Sequence, residues 1–172
     1  MGRGVCAFYV TALNPQTAVA GPAANVPGEY ASYDPASGEL IWEAAGLTEN
    51  VIPMPVTGHG LVYVMSGFRG FSIQAIRLDA KGDVTDSPAI AWNVRRSAPY
   101  VPSPVLSGDR LYMIKSNDAF LSCLNALTGE VIYQDQRLEG LRGLYASPIA
   151  AGDTGRSPPP AASSGATTGI SG

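Results

Sequence analysis

Few residues of this sequence have the types and the spacing that chemistry requires. The two cysteines, Cys6 and Cys123, lie 117 positions apart, and neither belongs to a CxxC pair. A disulfide framework uses more cysteines in a shorter chain, and a zinc site uses clustered ligands. We therefore expect both to be free thiols that pack as small hydrophobic side chains.

The single histidine and the clustered carboxylates point to no recognisable site. His59 lies in a turn between apolar stretches, so we expect a solvated turn histidine. Asp79, Asp83 and Asp86 lack the alternating ligands, central Gly and terminal Glu of an EF-hand loop, and an exposed, solvated hairpin loop is the better interpretation. No phosphate loop or nucleophile elbow is present either. The sequence assigns no catalytic, cofactor-binding or metal-binding residue.

Length and charge narrow the possible classes of protein. The 172 residues allow one domain or a piece of a larger one. A net charge of −3 offers no basic face for nucleic acid, and no apolar run reaches the ~18 residues of a membrane span. Arg3, the apolar stretch 5–10 and Ala18–Ala20 loosely resemble an export signal, but the stretch is short. An upstream strand or a ragged start is the alternative that we prefer.

Two motifs repeat along the chain, and most of the residues discussed above lie within or between their copies. Ser103–Asp109 recurs as Ser147–Asp153 at an offset of 44, and a looser copy, Met54–Gly60, precedes it by 49. The second motif, Tyr33–Trp42, recurs as Leu124–Tyr133 at an offset of 91, or about two repeats. Such interleaving at 41 to 50 residues indicates a true internal repeat.

Each repeat contains four short strands separated by Gly, Pro or Asp turns. We predict antiparallel strands at 61–66, 71–78, 89–94, 110–115, 119–125 and 130–135, with no helix longer than ten residues between 50 and 150. Four strands in 40–45 residues are typical of a β-propeller blade. Asx-type turns at 34–38 and 125–129 precede the last strand, with Gly at the positive-φ position.

Trp42, Trp92 and Tyr133 end the last strand of successive units. A large aromatic side chain there can fill the gap between blades, so we interpret these residues as inter-blade core rather than a cofactor box.

At these motifs the chain resembles the pyrroloquinoline-quinone-like (PQQ-like) β-propeller repeat family, over about residues 30 to 153. The signature Leu/Ala-Asp-x-x-Thr-Gly-x-x-x-Trp is matched by Tyr33–Trp42 and by Leu124–Tyr133, where Tyr133 replaces Trp. Ser103 through Tyr112 matches the Ser-Pro and Gly-Asp half that precedes a Val-Tyr strand. The resemblance implies an all-β fold of four-stranded antiparallel blades.

The blades expected from this resemblance do not close a ring. They comprise a half blade at 30–43, full blades at 52–94 and 101–135, and the opening strand of another at 146–151, whereas closed propellers have typically 4 to 8 blades. We therefore expect an incomplete propeller over 30–153, after a poorly defined N-terminal segment at 1–29. On that basis we expect the isolated chain to be weakly stable, to associate with itself, or to belong to a longer protein. Val105, Ile114, Trp92 and Leu121 are the side chains we expect a missing neighbour to bury.

The tail at 154–172 departs from the repeat. It contains 17 Gly, Pro, Ser, Ala or Thr among its 19 residues, and three prolines stand where the second strand of a blade is expected. We expect this tail to be disordered, so its deletion should change stability by less than ~0.5 kcal/mol. A shifted reading frame, a truncated gene or a natural low-complexity tail would each produce it.

The family resemblance implies two classes of function. The first is a non-enzymatic scaffold similar to the outer-membrane assembly lipoprotein (the BamB-like branch), which binds protein partners through blade-edge loops, acts outside the cytoplasm and needs no cofactor. In that case the partner is another protein or the remaining blades of a larger propeller. The second is a fragment of a quinone-dependent dehydrogenase, which would need calcium ligands, a catalytic Asp and, in alcohol-oxidising types, adjacent cysteines. Because those cysteines and ligands are absent from the sequence, we favour the scaffold. A pseudogene product without activity is a third interpretation.

Overall fold

The computed structural model describes residues 11–14, 17–20, 28–115 and 118–150. Within them the chain forms thirteen β-strands and no helix, as the repeat predicts. The strands, in chain order, are β1 (Thr11–Asn14), β2 (Thr17–Ala20), β3 (Tyr30–Tyr33), β4 (Leu40–Ala44), β5 (Val56–Gly58), β6 (Leu61–Ser66), β7 (Ser72–Arg77), β8 (Gly82–Asp83), β9 (Ile90–Val94), β10 (Val105–Ser107), β11 (Arg110–Lys115), β12 (Phe120–Asn125) and β13 (Val131–Arg137). The expectations for Cys6 and for the tail at 154–172 fall outside the described residues.

The strands form three sheets, which we call blades one, two and three. Blade one has the order β1-β2-β3-β4-β8, blade two β5-β6-β7-β9, and blade three β10-β11-β12-β13. Consecutive strands of each blade pair antiparallel, and β8 alone joins its sheet in parallel, beside β4. This is the all-β, incomplete propeller of four-stranded blades that the sequence predicts.

Both ends of the described fold differ from expectation. Before β3, the strands β1 and β2 pair with each other and with β3, so the expected half blade at 30–43 has two further strands upstream. At the other end, residues 146–150 of the expected strand at 146–151 form no strand. A strand needs a neighbouring strand to pair with, and within the described part of the chain none lies beside this segment.

One bulge recurs in the last strand of every blade. The pairing skips Ile41, Ala91 and Ile132, each of which directly precedes the closing aromatic residue. A bulge re-aims the side chains that follow it. It therefore explains how the aromatic residue is directed toward the neighbouring blade, although Trp42, Trp92 and Tyr133 lie inside their strands and not, as the sequence suggested, at the ends.

The turns before these last strands have the predicted geometry. The carboxylate of Asp34 accepts the amide of Ala36 at 2.7 Å, and the amide oxygen of Asn125 accepts the amide of Leu127 at 2.9 Å. Gly38 and Gly129 follow with φ of 74° and 73°. These are Asx turns that end in a left-handed glycine, at equivalent places in blades one and three.

The hydrophobic core lies between the blades. One cluster joins blades one and two, and the other joins blades two and three. Their largest fully buried members are Tyr30, Trp42, Val62 and Ile76 in the first cluster and Tyr63, Met65, Ile73, Leu111 and Met113 in the second. Each blade is thus stabilised mainly by its neighbours, as in other repeat folds.

Candidate functional site

The junction between blades one and two is closed by an aromatic pair and a buried amide. Trp42 meets Tyr30 edge to face with ring centroids 5.9 Å apart. The Tyr30 hydroxyl donates to Oε1 of Gln74, and Nε2 of Gln74 donates to the carbonyl of Ala45 at 3.4 Å. Burial raises the pKa of Tyr30 above its ordinary range, so the phenol stays neutral. Trp42 is therefore structural, as predicted.

The junction between blades two and three is closed by Trp92. Its ring lies 5.8 Å from that of Tyr63, and its indole Nε1 donates to the carbonyl of Ala126 at 2.9 Å. A Cβ added at Gly129 would lie 2.7 Å from Cδ2 of the indole. Both Ala126 and Gly129 belong to blade three, which confirms Trp92 as inter-blade core and removes it from the residues expected to await a neighbour.

The Ser-Pro motif links the blades at their inner strands. The amide of Met54 donates to Oγ of Ser103 at 2.9 Å, and the amide of Ser103 donates to Oγ of Ser147 at 2.8 Å. The sequence separations are 49 and 44 residues, the same offsets at which the motif repeats. Each copy of the motif is therefore hydrogen-bonded to the next copy, and Ser147 occupies its place although the described residues after it, 148–150, form no strand.

His59 is an exposed turn residue, as expected, and its ring also contacts the next blade. Its Nε2 lies 3.1 Å from the carbonyl of Gly108 and 3.4 Å from Oδ1 of Asp109, and its side chain is 27% exposed. Both partners lie in the corresponding turn of the next blade. These contacts arise because the propeller packs equivalent turns side by side, which the local sequence around His59 does not reveal.

The third blade has an open face, by which we mean a face that no other described blade covers, although Ile114 and Cys123 on it are already buried. Tyr112, Cys123 and Tyr133 are lateral neighbours across β11, β12 and β13, on the face opposite to Leu111 and Leu124, which contact blade two. Val105 pairs with Tyr112, and Ile114 pairs with Leu121, so three of the four side chains predicted to await a neighbour line this same face. Within the described residues no strand packs over it.

The row of three residues is apolar in character despite its polar atoms. Burial raises the pKa of the Cys123 thiol and, helped by Cys123 and Tyr112 nearby, raises the pKa of Tyr133 to about 12. Cys123 and Tyr133 are therefore uncharged near neutral pH. Cys123 is free and buried, as predicted.

A half-buried ion pair lies at the other side of blade three. Nζ of Lys115 lies 3.0 Å from Oδ2 of Asp135, and each side chain is 29% exposed. Burial acts to raise the pKa of Asp135, but hydrogen bonds from Lys115, Ser97 and Gln134 outweigh it and lower the pKa. Nζ of Lys115 also lies 5.6 Å from the ring centroid of Phe71 in blade two. We therefore interpret this ion pair as a structural contact that stabilises the junction between blades two and three.

The loop that contains Asp79, Asp83 and Asp86 is solvated, as expected, but it also pairs with blade one. Asp79 pairs with Arg77 at 2.8 Å, and Asp83 accepts the amide of Thr85 at 2.9 Å, both at the surface. The same loop contains β8, which pairs with β4 of blade one, so the loop is not the simple hairpin loop that we expected. It can reach blade one because the connection from 78 to 89 is twelve residues long. A polar cavity of about 150 Å³ beside it is lined by Glu29, Glu43 and Asp83 among others.

The described residues bring no three His, Cys, Asp or Glu side chains into a group that could hold a metal ion. In the same residues no helix is long and apolar enough to cross a membrane. Sequence reasoning missed the row Tyr112, Cys123 and Tyr133, although the signal was present. Tyr63 and Trp92 occupy the corresponding positions in blade two, and an alignment of the two repeats places Tyr112 and Tyr133 beside them.

Comparison with known families decides what kind of propeller this is. The family described as outer membrane protein assembly factor BamB matches residues 14–154. The chain belongs to this family.

Solved structures show the same fold. BamB from Moraxella catarrhalis superimposes with a TM-score of 0.51 at 16% sequence identity, covering 71% of this chain and 34% of the BamB chain. This chain thus spans about a third of the length of that protein. A comparison with curated protein sequences found no match.

Proposed function

We propose that this chain is a non-enzymatic scaffold that binds protein through the open face of its third blade. The observation that carries the proposal is the row Tyr112, Cys123 and Tyr133, which repeats the positions that blade two uses to bind blade three. The occupant is a propeller blade or a partner protein of similar shape. Membership of the BamB family supports this kind of role.

The packing of blade two explains why such a face binds protein. There, Tyr63 is fully buried and Trp92 has its indole N–H paired, because blade three covers both residues. On blade three, by contrast, Tyr112, which occupies the position of Tyr63, is only half-buried. Covering apolar surface is favourable by about 25 cal/mol per Å², so the face gains by acquiring a neighbour.

Photo-crosslinking from the face tests this proposal. A photoreactive phenylalanine placed at position 133 of the full chain captures the bound protein, which is then purified and titrated against the unmodified chain. We expect Tyr133→Glu to weaken that binding at least about tenfold, since it places a charge in an apolar contact. Ile132→Glu is the matched control, because Ile132 is already exposed beside it.

Equal binding by the Tyr133→Glu and wild-type chains overturns the proposal, as does a chain that forms no crosslink and stays monomeric. Thermal unfolding with pyrroloquinoline quinone and calcium tests the competing class. A ligand that binds only the folded chain raises its melting temperature, and the rise grows with the logarithm of ligand concentration above the Kd. Such a rise would replace the scaffold by a quinone-binding function.

A further inference from the structure

The outer edge of blade one shows how a blade of this protein accepts an added strand. β8 pairs in parallel with β4, with Trp42 opposite Gly82 and Glu43 opposite Asp83. The amide of Val84 donates to the carbonyl of Glu43 at 2.9 Å. Val84 is buried in the core between blades one and two, so the added strand is anchored by a side chain as well as by the backbone.

Blade two has an equivalent edge, along β9, with which no strand of the described residues pairs. The strand β9 carries Trp92 where β4 carries Trp42, and both strands have their bulge one residue earlier. The connection that would reach this edge from blade three consists of the short turn at 126–130, which contains no strand. Within the described residues β9 is therefore the outermost strand of its sheet, with its outer backbone groups unpaired by any strand.

The register identifies the outward backbone groups of β9. In β4 the carbonyl of Glu43 points away from β3 and accepts the added strand. Asn93 follows Trp92 as Glu43 follows Trp42, so its carbonyl and N–H point outward in the same way. An unpaired edge of this kind is a template for an extended peptide, to which main-chain hydrogen bonds give affinity.

Charge distinguishes this edge and indicates its occupant. Arg95 and Arg96 follow directly after β9, and both are exposed. Neither takes part in the ion pairs formed among the described residues, which join His59 with Asp109 and three other pairs elsewhere. In a chain of net charge −3, two adjacent arginines that follow an open strand edge and form no ion pair favour an acidic peptide. The guanidinium of Arg95 lies toward blade one, where its Nη2 would be 3.7 Å from a Cβ added at Gly46, so Arg96 is the arginine that is free of the blade junction.

We propose that the outer edge of β9 binds an extended acidic segment of a partner protein. The segment adds as a fifth strand parallel to β9, as β8 adds to β4, and places carboxylates beside Arg95 and Arg96. This inference rests on the proposed scaffold function and names a second contact surface, distinct from the face around Tyr133.

A designed peptide tests the backbone and the charge separately. The probe is a fluorescent peptide, Asp-Gly-Asp-Val-Thr-Asp-Asp, whose centre copies residues 82–86 of β8 and the loop after it, and its binding to the full chain is followed by fluorescence polarisation. Methylating the amide nitrogen of its valine, the group that donates to β4 in Val84, keeps every charge but removes one hydrogen bond. We expect this methylation to weaken binding at least about fivefold, because the strand can no longer pair.

Variants of the protein test the charge. Replacing both arginines, Arg95→Glu with Arg96→Glu, should weaken binding of the probe at least about tenfold, and about 0.5 M salt should weaken binding to the wild-type chain. The matched control is Arg69→Glu with Arg142→Glu, which makes the same change in net charge at exposed positions away from β9. We expect that control to bind within about twofold of wild type.

Equal binding of the methylated and unmethylated peptides overturns the strand addition, and equal loss in both arginine variants overturns the site. A probe that does not bind at all also overturns the proposal. Tyr133→Glu separates the two proposals, since it should leave binding of the probe unchanged. Loss of probe binding alone refutes only the β9 edge, whereas loss of partner binding at the Tyr133 face with the probe still bound leaves the edge intact.

Discussion

Substituting Gly129 by alanine measures how much the Trp92 contact restricts the junction between blades two and three. The residue has a φ of 73°, and a Cβ there would lie 2.7 Å and 2.8 Å from Cδ2 and Cε3 of Trp92. A left-handed backbone costs an alanine about 1–2 kcal/mol. Forcing a methyl group against a packed indole adds about 1–3 kcal/mol, so the free energy of unfolding should fall by about 2–5 kcal/mol in total.

Gly38 provides a matched control for this substitution. It occupies the same place in the same turn of blade one, its φ is 74°, and a Cβ there meets nothing within 4 Å. Gly38→Ala should therefore lower the free energy of unfolding by the backbone contribution alone, about 1–2 kcal/mol. Urea unfolding followed by tryptophan fluorescence and by circular dichroism measures both variants.

A Trp92→Ala background separates sterics from backbone strain. Without the indole, Gly129→Ala should cost no more than Gly38→Ala, which gives a coupling energy between Gly129 and Trp92 of about 0.5–3 kcal/mol. Equal destabilisation by the two glycine substitutions in the wild-type chain would refute the inter-blade contact. An additional destabilisation that persists without Trp92 would refute it as well.

Three further predictions follow from the described contacts. Ser103→Ala removes the acceptor for the amide of Met54 and should lower the free energy of unfolding by about 1 kcal/mol in urea melts. Ser107→Ala, four residues further along in β10, removes no such hydrogen bond between blades and should change it by less than about 0.5 kcal/mol. Cys123, buried and with a raised pKa, should react with a thiol reagent such as Ellman's only at the rate of unfolding; fast reaction in the native chain would contradict its burial. The pKa of Tyr133 is raised from 10.0 to about 12 in the folded chain, so the stability linked to this group is present below pH 10 and is lost as pH rises from about 10 to about 12. Tyr133→Phe should therefore lessen the fall in the free energy of unfolding between these pH values. A profile of stability against pH that is unchanged by the substitution would contradict the assignment.

Local signals carried the sequence prediction of the blades. Turn residues such as Asp34 and Gly38, and the run of strand formers in Leu61–Ser66, depend on neighbours in the chain, so their structure could be predicted. The strand β8 could not, because Gly82 and Asp83 have poor strand propensity and pair only when blade one lies beside them. Tertiary pairing there overrides the local preference.

The candidate sites show the same division. The roles of Trp42 and Trp92 followed from their place at the end of each repeat, but the partners of His59 lie 49 and 50 residues away and become neighbours only through the repeat geometry. The open edge at β9 was missed for a similar reason. Its existence depends on the length of the connection in the following blade, which the residues of β9 do not encode.

The hydrogen bonds at the inner strands have a consequence for how such a chain can grow. Each bond runs forward, from the amide of Met54 to the hydroxyl of Ser103 and from the amide of Ser103 to that of Ser147. The thioether of Met54 is at best a weak acceptor, so this residue can start the series but cannot continue it from behind. The link between blades therefore has a direction. A duplicated unit inserted after Ser147 can be linked by the same hydrogen bond from a backbone amide to a serine hydroxyl. A unit inserted ahead of Met54 cannot use this bond, because Met54 has no hydroxyl to accept it.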